Sequence, residues 1–155
     1  MKPPTLSRYA LRSLARAVLG APALAPGRID CRLREAIILH VSSLNSCPVC
    51  SGVHGAKAHR IGLSDAEIAH ARALAVDGWD ERTRAALRYA ELRTTDHECD
   101  HPEDVAAFER AFSARERAAV RAVVDLFTFT NRFNNTWERL LPGAAARRRR
   151  TGIEH

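Results

Sequence analysis

The sequence holds no run of apolar residues near the roughly 18 that a membrane-spanning helix needs. Aromatic residues make up only 6% of its 155 positions, and there is a single methionine. Eight glycines and seven prolines are too few for a collagen-like or low-complexity chain. Four cysteines are too few to staple a disulfide-dense scaffold of this length. No hairpin dipeptide separates two alternating β-branched runs, so the usual signal for paired strands is missing. What remains is 46% hydrophobic and 27% charged, an ordinary composition for one globular domain with enough chain to bury a core. The expectation is a soluble, cytoplasmic protein with no membrane partner.

Lysine and arginine exceed aspartate and glutamate by 24 to 18, a formal charge of +6, but the excess sits at the ends. Residues 1–29 carry Lys2, Arg8, Arg12, Arg16 and Arg28 and no acid. Near the other end, the run Arg147–Arg150 faces only Glu154. Between them, residues 30–146 hold fifteen bases and seventeen acids. A nucleic-acid surface concentrates its positive charge on the folded body, so nucleic acid is not an expected partner, and the arginine run reads as a solvated tail. Arg8, Arg12 and Arg16 recur every four residues, as on one face of a helix. Organellar transit peptides have similar acid-free, Arg-rich starts, but a first helix packed on the body accounts for the same pattern and is the reading adopted. Residues 21–27, rich in Ala and Pro, then read as a linker. The expected division is a basic N-terminal helix and linker over 1–29, a helical domain over 30–142, and a basic tail over 143–155.

From residue 30 the apolar spacing is helical throughout. Asp30 is placed to cap a helix carrying Leu33, Ile37, Ile38, Val41 and Leu44. A break at Asn45-Ser46 precedes a helix from Cys47-Pro48 to Gly62, because proline is tolerated in a first turn whose N–H groups are unpaired anyway. Ser64 and Glu67 have capping-box spacing and predict a helix to about Val76. Asp80 caps the next, through Leu92, and Pro102 begins another. Ser113 and Glu116 repeat the box and open the longest helix, ending near Leu140. The reading is an all-α bundle of six or seven helices.

The stretch Cys47-Pro48-Val49-Cys50-Ser51-Gly52-Val53-His54 carries the chemistry. On a helix, positions 47, 50 and 54 share one face. The unpaired N–H groups and positive dipole end of a helix N-terminus stabilise a thiolate there. Two cysteines three apart can close a disulfide with little backbone movement, and an imidazole one turn on can move a proton for them. A thiolate, a second thiol and a histidine are the parts of a dithiol redox centre. By its position at the helix start, Cys47 is favoured by the dipole as the more acidic thiol, while Cys50 is nearer in register to His54. A zinc site would draw on Cys47, Cys50 and His54 with His59, Cys31 or His40 as the fourth ligand. No second CxxC pair exists, and neither a metal nor any other cofactor is expected.

Several stretches resemble the carboxymuconolactone decarboxylase/AhpD-like alkylhydroperoxidase superfamily. They are Leu33-Arg34-Glu35-Ala36-Ile37-Ile38-Leu39, Leu44-Asn45-Ser46-Cys47-Pro48-Val49-Cys50 with His54, Gly62-Leu63-Ser64, residues 84–90 and residues 129–135. The resemblance spans about residues 30–140. It implies an AhpD-like helical bundle with the CxxC at the N-terminus of a helix, assembled as a homo-oligomer, a trimer or hexamer, with the site near subunit contacts. It assigns Glu35, Cys47, Cys50 and His54 to the active site, with Glu35 and His54 as a proton relay, Cys50 as the attacking (peroxidatic) thiol and Cys47 as the resolving one. The implied function is that of a thiol peroxidase, an antioxidant oxidoreductase that reduces a hydroperoxide substrate and is restored by an external dithiol or thioredoxin-like electron donor. Some members have a histidine between the two cysteines, where this sequence has Val49. The alternatives are a non-catalytic redox-sensing or zinc-bearing helical module and a divergent carboxymuconolactone decarboxylase-like enzyme.

Other signals read as structural. His97-Glu98-Cys99-Asp100-His101 is expected to be an exposed loop rather than a metal cluster, and Cys31 and Cys99 to be free thiols. Phe129, Phe133 and Trp137 form an aromatic stripe expected in the core or at a subunit interface. Asn131, Asn134 and Asn135 share another face, and buried amides there need partners across helices or subunits. His40, His59 and His70 belong to no constellation.

Overall fold

A computed structural model describes residues 5–140, so the arginine run and the tail expected over 143–155 lie outside the described residues. Seven α-helices and no strand are found among them: α1 Arg8–Leu19, α2 Cys31–Leu44, α3 Pro48–Arg60, α4 Asp65–Arg72, α5 Glu81–Thr95, α6 Pro102–Ala111 and α7 Ala114–Leu140. The all-α expectation holds. No helix among the described residues is long and apolar enough to cross a membrane.

Helix α2 is the axis of the fold. Asp30 caps it, accepting hydrogen bonds from the backbone of Arg32 and Leu33, and nine of its residues, from Leu33 to Ser42, are buried. A helix apolar on most of its sides must be covered on most of its sides, and α3, α4, α5 and α7 all pack against it. Leu33, Ile37, Ile38 and Val41 meet Leu87 and Tyr89 of α5, Phe108 of α6 and Val120, Val123 and Val124 of α7 in the main core. A smaller cluster joins Ala36 and Leu39 to Ala58 of α3 and Ile68 and Ala71 of α4.

The N-terminal helix packs along α7, as the sequence suggested. Its buried residues, Ala10, Ser13 and Ala17, are all small and let the two backbones approach. At its end a Cβ on Gly20 would stand 3.1 Å from the Ala122 Cβ. The segment read as a linker holds a 3-10 turn, Ala21–Leu24, with Leu24 packed against the main core.

The cap signals set most helix starts correctly. Ser64 and Glu67 form a complete capping box, Asp80 caps α5, and Pro102 sits in the first turn of α6. The end of α4 differs: it stops at Arg72 rather than near Val76. Leu74 takes a left-handed φ of 59°, and the resulting turn brings Val76 back into the core. Phe133 and Trp137 are not core residues; they are 46% and 58% exposed, on the side of α7 opposite the buried Asn131 and Asn135.

One buried ionic knot joins α5 to α7. Arg93 reaches both carboxylate oxygens of Asp125, at 3.1 and 2.7 Å, and also Glu98 at 2.9 Å. Burial raises the Asp125 pKa and pushes the Tyr89 phenol up to about 12. Removing one partner of a buried pair strands the other charge. Asp125→Ala is expected to lower the unfolding free energy by about 3 kcal/mol in urea denaturation; a loss well under about 1 kcal/mol would show that Arg93 finds solvent instead.

Candidate active site

The joint between α2 and α3 places the two cysteines. Asn45 caps the end of α2, Ser46 turns the chain with a left-handed φ of 49°, and Cys47 caps the start of α3. The Cys47 backbone N–H returns to the Ser42 carbonyl at 2.9 Å, so the turn is closed on the helix it leaves. As the cap residue, Cys47 accepts the backbone N–H of Cys50 on its sulfur at 3.4 Å. The two sulfurs lie 2.6 Å apart, longer than the about 2.05 Å of a disulfide, and both cysteines are free thiols.

One turn beyond Cys50, His54 faces back toward α2. Its Nδ1 is 2.6 Å from Oε2 of Glu35, whose side chain is wholly buried. The other oxygen, Oε1, pairs with the Lys57 ammonium at 2.8 Å and has the Arg34 guanidinium at 3.6 Å. Burial alone would raise the Glu35 pKa, but hydrogen bonds from His54 and Lys57 outweigh it and hold the carboxyl below its usual range. A carboxylate on Nδ1 fixes the ring's orientation and leaves Nε2 as the nitrogen free to exchange a proton. Phe127 of α7 stands edge-on to the ring, with centroids 4.8 Å apart, and fixes its plane.

Helix α7 closes the third side through four polar residues. Asn135 donates to the Asn45 carbonyl at 2.7 Å, Arg132 to the Asn45 side chain at 3.0 Å, and Asn131 accepts from Ser42 at 3.4 Å. Between them Asn134 donates its amide N–H to the Cys50 sulfur at 3.2 Å.

The two thiols differ in acidity. The contact between the sulfurs lets the pair share one proton, and that contact together with burial raises the Cys47 pKa. The same sulfur contact lowers the Cys50 pKa, and the Asn134 amide lowers it again against the effect of burial. The direction at Cys50 is opposite to the pull of the helix dipole, which favours charge on Cys47.

Glu35 and His54 thus meet directly, and Cys47 meets Cys50. Lys57 and Asn134 were not expected at the site. Lys57 is three residues after His54 and so shares its face, a usable signal; Asn134 carried only the general rule that buried amides need partners. The possible zinc ligands do not converge. The one group of three His, Cys, Asp or Glu side chains close enough to share an ion among the described residues is His101, Glu103 and Asp104, at the exposed start of α6. In the neighbouring loop His97 pairs with Asp100 and Glu98 turns to Tyr89, so those residues do not form a cluster with it.

A family model, described as the carboxymuconolactone decarboxylase family, matches residues 11–92. The chain belongs to the carboxymuconolactone decarboxylase family. The matched span of this family member begins inside α1, ends in α5, and contains Glu35, Cys47, Cys50, His54 and Lys57 but no part of α7. No curated protein and no solved structure matches the chain.

Because folding lowers the Glu35 pKa, the ionised carboxylate stabilises the fold above its unfolded value of about 4.3, and that contribution is lost as pH falls through the folded value. Glu35→Gln keeps the shape and removes the charge. It is expected to cost about 2 kcal/mol of stability at pH near 7, with the deficit shrinking as the pH is lowered to about 3. A deficit equal at both pH values in chemical denaturation would show that the charge contributes nothing.

Proposed function

We propose that this protein is a thiol peroxidase of the AhpD-like type, which reduces hydroperoxides through a Cys47/Cys50 dithiol–disulfide cycle. The supporting observation is that two paired sets, sulfur with sulfur and imidazole with carboxylate, stand about one turn apart along α3. Two sulfurs touch, one of them favoured as a thiolate, and a histidine one turn away is held by a buried carboxylate. Cys50 is also the slightly less buried of the two residues, 5% exposed against 1% for Cys47.

In the proposed cycle the Cys50 thiolate attacks the terminal oxygen of the hydroperoxide. The S–O bond forms as the O–O bond breaks, and His54, held by Glu35, supplies the proton that lets the alkoxide leave as alcohol. Cys50 is now a sulfenic acid. The Cys47 thiol displaces water from it and forms the Cys47–Cys50 disulfide. An external dithiol donor, such as a thioredoxin-like protein, reduces the disulfide by thiol exchange and is itself oxidised. Sulfur supplies both electrons, so no cofactor enters.

The apolar residues around this site support the expected homo-oligomer. Val49 and Val53 on α3 and Phe133, Trp137 and Leu140 on α7 are large, apolar and exposed. Large apolar side chains left exposed are common material for subunit contacts, and a trimer or hexamer would place these residues between subunits.

Cys50→Ser is expected to reduce donor-dependent peroxide consumption by about a thousandfold or more. Cys47→Ser should complete a single turnover and leave a sulfenic acid that dimedone traps. Undiminished consumption by the Cys50 variant would remove the mechanism. Light scattering should show the native chain as an oligomer and Trp137→Glu as a smaller species; an unchanged mass would place the contact elsewhere.

A further inference from the structure

Two features of the site act on the thiols in opposite directions. The start of α3 favours charge on Cys47, which caps the helix and accepts the N–H of Cys50 at 3.4 Å. The contact between the sulfurs lets either thiol give its proton to the other, so it holds one charge on the pair without itself choosing which sulfur bears it. Backbone geometry alone would therefore make Cys47 the thiolate. The asymmetric feature on the other side is the side-chain amide of Asn134, whose N–H points at Cys50 from 3.2 Å.

We propose that Asn134 selects the nucleophile, its amide N–H holding the negative charge on Cys50 against the pull of the helix start toward Cys47. A hydrogen bond to an ionised acceptor is about twice as strong as one between neutral groups, so the amide binds a Cys50 thiolate better than a Cys50 thiol. An amide does not titrate, so its preference persists across the pH range in which the thiols and imidazole change charge. It is also fixed in place. Asn131 and Asn135, on either side of it along α7, bond to Ser42 and to the Asn45 carbonyl, and Arg132 bonds to the Asn45 side chain. These are the residues of the turn that carries Cys47 and Cys50, so the amide and its sulfur are held on one frame. The greater burial of Cys47 acts in the same direction, since burial penalises a thiolate. The selection matters to the cycle because the attacking sulfur must be the accessible one and the resolving sulfur must keep its proton until the sulfenic acid has formed.

This inference deepens the peroxidase reading but is tested without peroxide. The fully reduced full-length chain is treated with limiting iodoacetamide from about pH 5 to about pH 10, and peptide mass spectrometry separates label on Cys47 from label on Cys50. In the native protein the label is expected on Cys50 at neutral pH. Asn134→Ala and the near-isosteric Asn134→Asp should each raise the midpoint for Cys50 by about one pH unit or more, about a tenfold loss of thiolate at neutral pH. The aspartate should have the larger effect, because its carboxylate cannot donate and repels the thiolate. In both variants Cys47 should gain a share of the label. Circular dichroism shows whether the variants are folded, and the aspartate variant keeps the side-chain volume should alanine loosen α7. An unchanged midpoint and label distribution in both folded variants would overturn the proposal. So would a lower midpoint in the alanine variant, which would mean that the amide presents its oxygen and favours the neutral thiol. Variants that show the shift beside a native protein that consumes no peroxide would instead overturn the proposed function and leave the effect of Asn134 on Cys50 intact.

Discussion

The site depends on one buried charge. Glu35 lies on the most enclosed helix of the bundle with no exposed side-chain surface, and an ionised carboxylate there is costly unless it is paired. Both partners within 3 Å, the His54 ring and the Lys57 ammonium, come from α3. Satisfying one acid on α2 therefore fixes the roll and height of α3 against α2. The same helix carries Cys50 in its first turn and Cys47 as its cap. A change in how α3 sits would unpair the carboxylate before it moved the sulfurs very far. The charge is thus a positional constraint on the thiols as well as a partner for the imidazole.

Helix α7 supplies a second constraint of a different kind. Its first half is apolar and packs into the core, while residues 131–135 turn a polar edge to the joint between α2 and α3. Those bonds satisfy Asn45, a buried side chain at a helix end whose oxygen would otherwise lack a donor. Repair of an exposed helix end and placement of an amide beside Cys50 are accomplished by one short segment. The cost of changing that segment falls on both.

The legible parts of the sequence were those written in local terms. Asp30, Ser64 with Glu67, Asp80, Pro102 and Ser113 each announce a helix start within a few residues, and each start is where the structure has it. The alignment of Cys50 with His54 is likewise local, a matter of helical period. Glu35 was placed by resemblance, since nothing in its own surroundings distinguishes it from a surface glutamate. The end of α4 was not legible, because Leu74 adopts its left-handed conformation to return Val76 to the core, and a tertiary demand leaves no mark in a short window. The stripe of Phe133 and Trp137 shows the same limit. Period shows that residues share a face but not whether the rest of the fold covers it. Asn134 lies 84 residues from the sulfur it touches, and two neighbouring asparagines with similar credentials point elsewhere.

The family match and the geometry divide the site into two layers. The matched span ends at residue 92 and holds the carboxylate, the imidazole and both sulfurs, so family membership accounts for a set of groups capable of proton transfer and thiol chemistry. It leaves open which sulfur carries the charge. Within that span the start of α3 favours charge on Cys47, while the deeper burial of that residue opposes it. The amide N–H directed at Cys50 comes from α7, outside the span. In the proposed cycle the two thiols take separate roles, and an outside donor aimed at one sulfur sets them apart. The bundle supplies one by running its longest helix back across the turn where the cysteines begin.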